Sequence, residues 1–567
     1  MAGSTILLEP PTEVARLLEN RVSIELTFHG AAGCVTGYCA RLKTPKTTVL
    51  IDCGMFQGSK TLKALNYGDF PFEPSSIDAV LLTHAHIDHS GLLPKLHRAG
   101  YRGPIYATAG TRDLCAVMLP DAGSIQESEV RHLNRRNQQR GRPEVRPIYT
   151  VRDAHQTLEL FKKVKLNAPV EVTPGVTATY WEAGHILGSA SIEVRVEGDD
   201  GPVTLLFSGD LGPGGRDYAD DPKAPAGVDY LVTESTYGDR VRPTLGGTER
   251  RAVLAEELNQ AHAAGGPLLI PAFAVERSQE LLADLMALMD EGQVPKADIF
   301  LDSPLAIEAT EVFQERGWNR ATGVNPFAHL RSSGRLKFLR EAGESDALGR
   351  LTGWHIIMAA SGMCDAGRVR GHLKRLLWRR QATVLLSGYQ AVGTLGRILQ
   401  EGAERVTIQG EEIQVRARIH ALDVYSSHAD ALGLETWAKA RRPVSGGVFL
   451  AHGEPGALQG LKDRLEAAGF PDRQVIVPSI DQTFTLGRAG AAASGSSQRR
   501  IAASAAARAD WHNARAVLLM NLNAALEAAP DDASREDLIS QLTRGLATAT
   551  AGHSEPGSPA HHPSQAA

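Results

Sequence analysis

The sequence predicts a layered α/β protein, and three observations support this fold class. From residue 22 to about 110, β-rich runs alternate with glycine, proline and aspartate, as in VSIELTF, TTVLIDCG, AVLLTHAH and PIYAT. In the middle of the chain, the helix-like segments 249–265 and 278–292 alternate with the strand-like runs LLIPAF and ADIFLD. Further strand-like segments follow at 383–388, 419–425 and 447–451.

The composition is that of an ordinary soluble protein. The 567 residues are 43% hydrophobic and 22% charged, which is enough chain for two or more hydrophobic cores. No run approaches the roughly 18 consecutive apolar residues that a membrane helix needs, and the N-terminus has no cationic start typical of a secretory signal. Five dispersed cysteines favour a reducing compartment over a disulfide framework. We therefore expect a cytoplasmic protein with no membrane partner.

The composition changes after residue 488. The segment RAGAAASGSSQRRIAASAAARAD is rich in alanine, serine and glycine, which is typical of a linker. Two helical patterns follow, around 508–528 and 532–547, and the ending HSEPGSPAHHPSQAA has the composition of a disordered tail. Residues 489–567 are therefore predicted to form a linker, helices and a disordered tail.

The stretch THAHIDHSG, residues 83–91, concentrates metal-ligand side chains directly after the apolar run AVLL. It contains His84, His86, Asp88 and His89. Residues this close in sequence do not converge from a regular strand or helix, so the motif is expected on a loop. Neutral imidazole and carboxylate groups are the ligands that suit zinc and related first-row metals. A polar loop with incidental histidines is the alternative, and the clustering behind an apolar strand favours the metal site.

Three other segments combine a strand-like run, a candidate ligand and a glycine. They are WEAGHILGSAS with His185, VTLLFSGDLG with Asp210 and GVFLAHGEPG with His452. Each tight turn allows a side chain to stand at the carboxyl-terminal rim of a sheet, where α/β proteins usually place their chemistry. Each segment alone fits a structural role equally well. Together with the histidine-rich motif they predict one composite metal site.

The order of THAHIDHSG, GHILGS and FSGD resembles the metallo-β-lactamase fold, an αββα sandwich. By this resemblance the ligands are His84, His86 and His185 for one metal, Asp88, His89 and His452 for the other, and Asp210 as a bridge between them. Asp52 in LIDCG orients the metal loop instead of binding metal. The resemblance implies two Zn²⁺ ions per chain, with Mn²⁺ as a substitute, because a metal pair turns bound water into hydroxide at neutral pH.

A second set of motifs resembles the β-CASP nucleases of that superfamily. It comprises LVTESTYG, PAFAVERSQE, LDSPLA, ASGMCDAGRVRGHL, SGYQAVGTLG and YSSHAD. Glu234 matches the family's acidic motif A, His428 its motif B and His452 its motif C. The implied domains are the first part of the metallo-β-lactamase domain at 22–238, an inserted α/β β-CASP domain at 239–414, and the return of the first domain at 415–488.

The resemblance extends to prokaryotic relatives of the endonuclease subunit that cleaves eukaryotic pre-mRNA at its 3′ end, with RNase J more distant. It implies a ribonuclease that hydrolyses single-stranded RNA through a dinuclear zinc-activated hydroxide. The implied mode is endonucleolytic, with 5′→3′ exonuclease activity as a second mode. The catalytic residues are then Asp210, Glu234 and His428, with Glu234 polarising His428 as the proton donor. A homodimer is the expected default.

Three alternatives stay open at this point. A small-molecule metallohydrolase acting on a thioester or lactone shares the metal site, and the insert with Glu234 and His428 argues against it. A non-catalytic scaffold predicts lost ligands, whereas all seven are present. A nuclease for single-stranded DNA is disfavoured by His452, because DNA-acting members of this branch usually lack a histidine at motif C. Glu234 and His428 also fit a structural pair that joins the domains.

RNA-binding residues are harder to assign, because a net charge of −5 requires any positive charge to be local. The stretch 368–380, RVRGHLKRLLWRR, fits a phosphate-binding track and a solvated helix face equally well. Glycine turns in SGM and GTLG have backbone N–H groups that suit phosphate. The resulting candidates are Arg277, Ser361, Gly362, Arg368, Lys374, Gly393 and Thr394. The basic segment 131–146 is predicted to be a mobile surface loop.

Overall fold

The computed structural model describes residues 24–502 except 199–200, 217–218, 243–244, 319–322, 329, 331–333, 389, 391–393, 488–489 and 495–498. It also describes 518, 522, 525–526 and 528–551. The chain forms two compact units, Met1–Arg508 and Ala509–Ala567. Within these described ranges, no helix is both long and apolar enough to cross a bilayer.

The first sheet has eight strands among the described residues: β1 (Ile24–Phe28), β2 (Ala40–Lys43), β3 (Thr48–Ile51), β4 (Ala79–Leu81), β5 (Ile105–Thr108), β6 (Phe161–Val164), β22 (Gln482–Gly487) and β23 (Gly490–Ala493). Their order is β23-β22-β1-β2-β3-β4-β5-β6. Pairing is antiparallel from β23 to β3 and parallel from β3 to β6. The parallel strand β4 is buried along its whole length, and it leads directly into the histidine-rich motif.

The second sheet has seven strands in the described part of the chain: β7 (Pro169–Thr173), β8 (Val176–Glu182), β9 (Ala190–Val196), β10 (Val203–Phe207), β11 (Tyr230–Thr233), β20 (Gly447–Leu450) and β21 (Val475–Ile476). Their order is β21-β20-β11-β10-β9-β8-β7. Strands β10, β11 and β20 are neighbours and parallel, so their carboxyl ends lie at one edge of the sheet. That edge brings together three chain segments that are far apart in sequence.

The two sheets pack face to face around one apolar cluster. Leu26, Ile51 and Leu81 of the first sheet share this cluster with Ile192 and Phe207 of the second. Adjacent residues such as Leu50 and Val80 lie on the opposite face of the first sheet, because side chains alternate along a strand. Burial on both faces explains why these strands are continuous apolar runs.

Helices cover both outer faces of the sandwich. Helix α1 (Lys60–Leu65) contacts the apolar cluster between the sheets through Leu62. Next to the outer face of the first sheet are α2 (Ile87–Ser90), α3 (Leu93–Arg98), α4 (Ala109–Gln139) and α5 (Val151–Leu158). On the second sheet, Leu434 of α12 (Ala431–Lys439) and Leu461 of α13 (Pro455–Ala467) pack against Leu206 and Leu231. A short 3-10 helix, Asp472–Gln474, follows α13, and another, Pro74–Ser76, precedes β4. The predicted αββα sandwich is therefore present.

An inserted α/β layer interrupts the second sheet between β11 and β20. Its sheet, here called the insert sheet, consists of β12 (Leu268–Pro271), β13 (Ile299–Leu301), β14 (Leu336–Phe338), β15 (Ile356–Ala359), β16 (Thr383–Leu386) and β19 (Arg418–Ala421). The strands are parallel throughout, in the order β14-β13-β15-β12-β16-β19. Strand β19 falls within the segment 415–488 that the sequence assigns to the returning first domain, and those domain limits stay a prediction.

Helices lie on both faces of the insert sheet. They are α6 (Gly247–Ala263), α7 (Arg277–Asp290), α8 (Pro304–Arg316), α9 (Ala342–Ala347), α10 (Val369–Leu376) and α11 (Leu395–Gln400), together with the 3-10 helix Leu348–Arg350. Leu268 and Ile270 face Leu285 on one side, whereas Leu269 faces Leu373 on the other. A two-stranded hairpin, β17 (Arg405–Ile408) and β18 (Glu411–Gln414), completes the insert.

Two local predictions differ from the structure. The segment 131–146 is predicted to be a loop, but α4 continues to Gln139. Its residues QESEVRHLNRRNQQ are mostly good helix formers, and breakers come only at Gly141 and Pro143. In the predicted linker, Gly490–Ala493 forms strand β23 at the edge of the first sheet. The second predicted terminal helix corresponds to α14 (Asp532–Ala551), whereas most of 508–528 and the end of the tail lie outside the described residues.

Candidate metal centre

The histidine-rich motif begins as a loop after β4 and ends as a single helical turn. His86 precedes α2, so Asp88 and His89 lie within that helix. The sequence predicts a loop for the whole motif, and the second half is helical instead. Adjacent side chains on a helix point about 100° apart, so Asp88 and His89 are directed to different positions.

One group of ligand atoms consists of His84, His86, His185 and Asp210. These atoms all lie within 4.8 Å of one another. The Nδ1 atom of His86 is 3.2 Å from Nε2 of His84 and 3.2 Å from Nε2 of His185. Oδ2 of Asp210 lies 3.4 Å from His84 Nε2 and 3.6 Å from His185 Nε2. Three imidazoles and one carboxylate oxygen therefore face a common point.

A second group consists of Asp88, His89 and His452, also within 4.8 Å of one another. His452 Nε2 lies 3.4 Å from Asp88 Oδ2. His89 Nε2 lies 3.3 Å from Oδ1 of Asp210, the carboxylate oxygen that does not face the first group. Asp210 thus directs one oxygen to each group, which is the arrangement that a bridging ligand requires.

Asp52 holds the histidine-rich motif in place without facing either group. Its carboxylate accepts hydrogen bonds from Thr83 N, Thr83 Oγ1 and His89 Nδ1, each 2.7 Å long. Its backbone is in the left-handed region at φ 60°, which is costly for a residue other than glycine and is typical of functional sites. Gly54 follows, and a Cβ there would lie 1.6 Å from the Asp88 carbonyl oxygen. Only glycine allows this turn to pack on α2.

The donor atoms fit a metal, because they are buried and incompletely satisfied by protein. His89 Nε2 and Asp210 Oδ1 are fully buried and lie 3.3 Å apart, but neither is aligned for a hydrogen bond with any atom of the described residues. Buried polar atoms without partners are rare and costly in folded proteins. Imidazole and carboxylate are the donors that first-row divalent metals prefer. A divalent cation bound at the second group would satisfy both of these atoms.

The protonation states of His84, His185 and Asp210 suit metal binding. At His89, burial lowers the pKa, but the carboxylates of Asp210 and Asp52 outweigh this and raise it. Burial lowers the pKa of His84 and of His185 well below the ordinary histidine value, and neighbouring imidazoles act in the same direction. Both rings are therefore neutral near pH 7 and offer lone pairs. Burial alone would raise the pKa of Asp210, but His452, His89 and His84 hold it well below the usual aspartate value. The carboxylate is therefore ionised.

Glu234 and His428 form a hydrogen-bonded pair next to the first group. His428 Nδ1 lies 3.3 and 3.2 Å from the two oxygens of Glu234. Glu234 is fixed in turn by the backbone N–H of Leu211, 2.5 Å away. The His428 ring lies next to that of His185, with 4.5 Å between ring centroids and a tilt of 48° between the planes. The His428 side chain keeps 19% exposure, while Glu234 keeps 1%. Burial lowers the pKa of His428, but the charge and hydrogen bond of Glu234 outweigh this and raise it.

Comparison with known proteins identifies the family. Three family models match: the Metallo-beta-lactamase superfamily at 32–261, the Beta-Casp domain at 278–399, and the Zn-dependent metallo-hydrolase RNA specificity domain at 412–478. Ribonuclease TTHA0252 of Thermus thermophilus is 35% identical over 449 residues, which cover 78% of this chain and 95% of that protein. The chain is a β-CASP ribonuclease of the metallo-β-lactamase superfamily. The resemblance seen in the sequence is confirmed.

Two further relatives of this β-CASP ribonuclease come from archaea. An RNase J-like protein of Methanocaldococcus jannaschii is 29% identical over 447 residues, covering 76% of this chain and 92% of that protein. Transcription termination factor FttA of Methanococcus maripaludis is 30% identical over 457 residues, covering 76% of this chain and 67% of that protein. The family uses divalent metal, which agrees with the donor set described above.

The basic residues that were predicted to contact RNA in this β-CASP ribonuclease bind to other groups of the protein. Arg277 is 5% exposed and donates to the Ser387 carbonyl oxygen. Arg368 Nη1 donates to Asp302 Oδ1 over 2.7 Å, and Lys374 pairs with Glu411. Such acid partners are what the solvated-face interpretation of the basic stretch expects.

The turn residues among these candidates lie at two loops of the insert sheet. Ser361 and Gly362 follow β15, and buried Thr394 accepts a hydrogen bond from Arg397 N at the start of α11. Gly393 lies outside the described residues. Contact with RNA by any of these candidates stays a prediction.

Sequence reasoning missed two polar residues that hold the centre. Thr236 Oγ1 lies 3.0 Å from His452 Nδ1 and fixes the side of that ring away from Asp88. Arg242 donates from Nη2 to the His428 carbonyl oxygen over 2.5 Å, and its guanidinium lies 4.2 Å from the Tyr237 ring centroid. Thr236 follows Glu234 within the motif TESTYG, so its place beside motif A was the one available signal.

Proposed function

We propose that this β-CASP ribonuclease hydrolyses phosphodiester bonds of single-stranded RNA with two zinc ions, mainly as an endonuclease. The observation that carries the proposal is the position of Asp210 between two groups of ligand atoms. Its Oδ2 lies 3.4 Å from His84 Nε2, and its Oδ1 lies 3.3 Å from His89 Nε2. Such a shared carboxylate is typical of paired-metal hydrolases of phosphate esters.

The proposed ligands form two sets that share one carboxylate. His84, His86 and His185 hold one ion, Asp88, His89 and His452 hold the other, and Asp210 serves both. Zinc suits this mixture of imidazole and carboxylate, and manganese is a substitute of similar ligand preference. When bound, the ions supply Lewis acidity that activates water at neutral pH and balances the charge of the phosphate. Asp52 keeps His89 oriented through its 2.7 Å hydrogen bond to Nδ1.

His428 is the proposed proton donor to the leaving 3′ oxygen. Glu234 binds its Nδ1, which leaves Nε2 as the nitrogen available to the substrate. The backbone of this loop is held at two points, because His185 Nδ1 lies 2.8 Å from the Ser427 carbonyl oxygen and Arg242 donates to the His428 carbonyl oxygen. A donor fixed in this way reaches the leaving group without rearrangement.

The proposed products are ends with a 5′-phosphate and a 3′-hydroxyl. Endonucleolytic cutting is the main mode, and 5′→3′ exonuclease activity is a second mode of the same chemistry. A homodimer is proposed as the default oligomeric state. The relatives named above that are called ribonuclease or RNase J-like support RNA as the substrate class.

The decisive experiment uses 5′-labelled single-stranded RNA, incubated with the purified full chain with and without a chelator. Cleavage that disappears with chelator and returns with zinc supports the proposal, and mapping of the product ends and positions separates internal cutting from trimming. Elemental analysis of the same preparation should give two metal ions per chain. RNA left intact while a generic thioester is hydrolysed would overturn it in favour of a small-molecule hydrolase.

A further inference from the structure

Three loops meet at the carboxyl edge of the insert sheet. They follow β12, β15 and β16, which are adjacent and parallel, and they contain Phe273, Gly362 and Gly388. Ligands of open parallel sheets bind at the carboxyl ends of the strands. This edge is therefore the part of the insert where a substrate contact is expected.

Phe273 lies exposed on a surface formed by the two glycines. Its side chain is 41% exposed, although it belongs to a loop between a buried strand and a buried helix. A Cβ on Gly362 would lie 3.0 Å from Cδ2 and 3.1 Å from Cε2 of the Phe273 ring, and a Cβ on Gly388 would lie 3.6 Å from Cε2. The Cδ2–Cε2 edge of the ring thus lies close to the two glycines, while the side chain keeps its 41% exposure.

Hydrogen bonds fix the backbone around this ring. The Phe273 carbonyl oxygen accepts from Ser278 N at 3.2 Å and from Ser278 Oγ at 2.7 Å. Gln390 is 2% exposed and donates from Nε2 to the carbonyl oxygens of Gly362 and Gly388, over 3.0 and 2.9 Å. One side chain therefore ties both glycine loops together. The aromatic surface is held rigidly before any ligand arrives, which reduces the entropy lost on binding.

The Phe273 loop is linked to the metal centre by a short chain of contacts. Glu276, three residues after Phe273, lies 3.7 Å from Nη1 of Arg216. Arg216 donates from Nη2 to the Ser426 carbonyl oxygen, and the next residue, Ser427, accepts from His185. The loop thus lies on the side of the insert that faces the metal ligands. The Arg277 guanidinium lies next to Gly388, where a Cβ would be 3.2 Å from Nη1, and its Nε lies 3.7 Å from Glu276 Oε2.

We propose that Phe273 is the platform on which one base of the single-stranded RNA stacks while the strand passes the metal centre, an inference that rests on the proposed ribonuclease function. Every base has an aromatic face, so such stacking binds single strands without regard to sequence. The 41% exposure of the Phe273 side chain makes the ring accessible to a base. The ligand class is a nucleobase of unpaired RNA, next to the cleaved linkage.

The first test is steady-state cleavage of single-stranded RNA by Phe273→Ala, Phe273→Trp and Trp378→Ala. Loss of one base–aromatic stack should raise KM about tenfold, while kcat and bound metal stay unchanged. Phe273→Trp should restore the wild-type KM. Trp378 is the matched control, because it is 53% exposed but lies before β16, at the opposite edge of the insert sheet. An unchanged KM in Phe273→Ala, or an equal rise in Trp378→Ala, would overturn the proposal.

The second test locates the stacked base. A series of RNAs carries one abasic nucleotide at successive distances from the cleaved linkage, and each is assayed with wild-type protein and with Phe273→Ala. For wild-type protein, an abasic nucleotide at one position in the series should lower the affinity for RNA. At that position, Phe273→Ala should bind abasic and intact RNA equally well. Equal losses in both proteins would remove Phe273 from the site. Chelator-sensitive cleavage of intact RNA by wild-type protein is scored separately, so failure of the platform is distinguishable from failure of the ribonuclease assignment.

Discussion

Two of the buried clusters of charged side chains in the described part of the chain differ in how their groups are paired. One is the metal centre around Asp210. The other, called here the insert network, lies where the insert meets the sandwich and consists of Arg216, Arg250, Glu276, Glu280 and Asp284. All five of its side chains are at most 6% exposed. In the network, guanidinium groups face carboxylates, whereas in the metal centre imidazoles that are mostly neutral surround carboxylates.

The distances show the contrast. In the insert network, Glu280 Oε1 accepts from Arg216 and lies 3.2 Å from Arg250 Nη1, while Arg250 Nε donates to Asp284 over 3.0 Å. Each carboxylate of the network thus faces a guanidinium group of the protein, and Glu280 Oε2 is the one fully buried carboxylate oxygen without a hydrogen-bond partner among its described atoms. In the metal centre, imidazole nitrogens face the carboxylates instead, and His89 Nε2 lies 3.3 Å from Asp210 Oδ1 without hydrogen-bond alignment. A buried cluster in which each carboxylate faces a guanidinium is structural, whereas imidazole nitrogens and carboxylate oxygens that face a common point suit a cation.

The sharpest test neutralises the bridging acid. Asp210→Asn keeps the shape of the side chain and removes the charge that faces both ligand groups. We expect loss of bound metal and a fall in RNA cleavage of at least about a thousandfold, since removing a single charge-stabilising group already costs about a hundred- to a thousandfold. Elemental analysis and a labelled-RNA assay measure the two effects. A variant that keeps two ions and near-normal turnover would contradict the bridging role.

Removal of His428 should affect catalysis without emptying the metal centre. A positioned proton donor contributes about a hundred- to ten-thousandfold, so His428→Ala should lower kcat by that range while metal content stays constant. The chain offers a matched control in His420, whose Nδ1 pairs with Glu257 over 2.7 Å in the insert. His420→Ala should cleave RNA at the wild-type rate. Normal turnover by His428→Ala would leave Glu234 and His428 as a structural pair.

The equivalent neutralisation in the insert network should lower stability and leave metal binding intact. Glu280→Gln removes the acid that faces Arg216 and Arg250, and leaves two buried cations with fewer partners. Breaking a buried ion pair in this way costs about 3 kcal/mol of unfolding free energy. Urea denaturation of metal-free protein measures it. The exposed pair Arg397–Glu401 gives the control, since Glu401→Gln should change stability by less than about 0.5 kcal/mol. If both variants have the same free energy of unfolding, the network contributes no more to stability than an exposed ion pair does.

The sequence predicted the metal centre better than the network, for a physical reason. Ligands such as His84 and His185 follow apolar strands and precede glycines, so local pattern alone indicates where their side chains end. No local sequence pattern indicates the pairing of Arg216 with Glu280, because the two residues come from a loop and a helix that only the packed fold brings together. The same reason hid Phe273, whose exposure depends on Gly362 and Gly388 from two other loops.

At the end of the main fold, the composition predicted a linker where the structure has a strand. The alanine- and glycine-rich segment after residue 488 reads as a linker, yet Gly490–Ala493 pairs with β22 and Arg500 contacts Asp481 over 3.0 Å. Backbone hydrogen bonding to an existing sheet edge does not depend on side-chain patterning. Low complexity therefore predicts weak side-chain packing, and it does not exclude an edge strand.

The smallest effect should come from a change of Thr236, whose side chain contacts the proposed ligand His452 and is not itself a proposed ligand. Its Oγ1 lies 3.0 Å from His452 Nδ1, so the hydroxyl accepts a hydrogen bond from Nδ1–H. The other ring nitrogen, Nε2, then faces Asp88 with its lone pair. Thr236→Val removes the acceptor with almost no change in shape, and loss of such a partner lowers metal affinity about ten- to a hundredfold. Competition with a chromophoric chelator measures the affinity, and Thr236→Ser should restore it. If Thr236→Val binds metal as tightly as the wild type, His452 is oriented by packing alone, and the metal centre depends less on surrounding polar contacts than the insert network does.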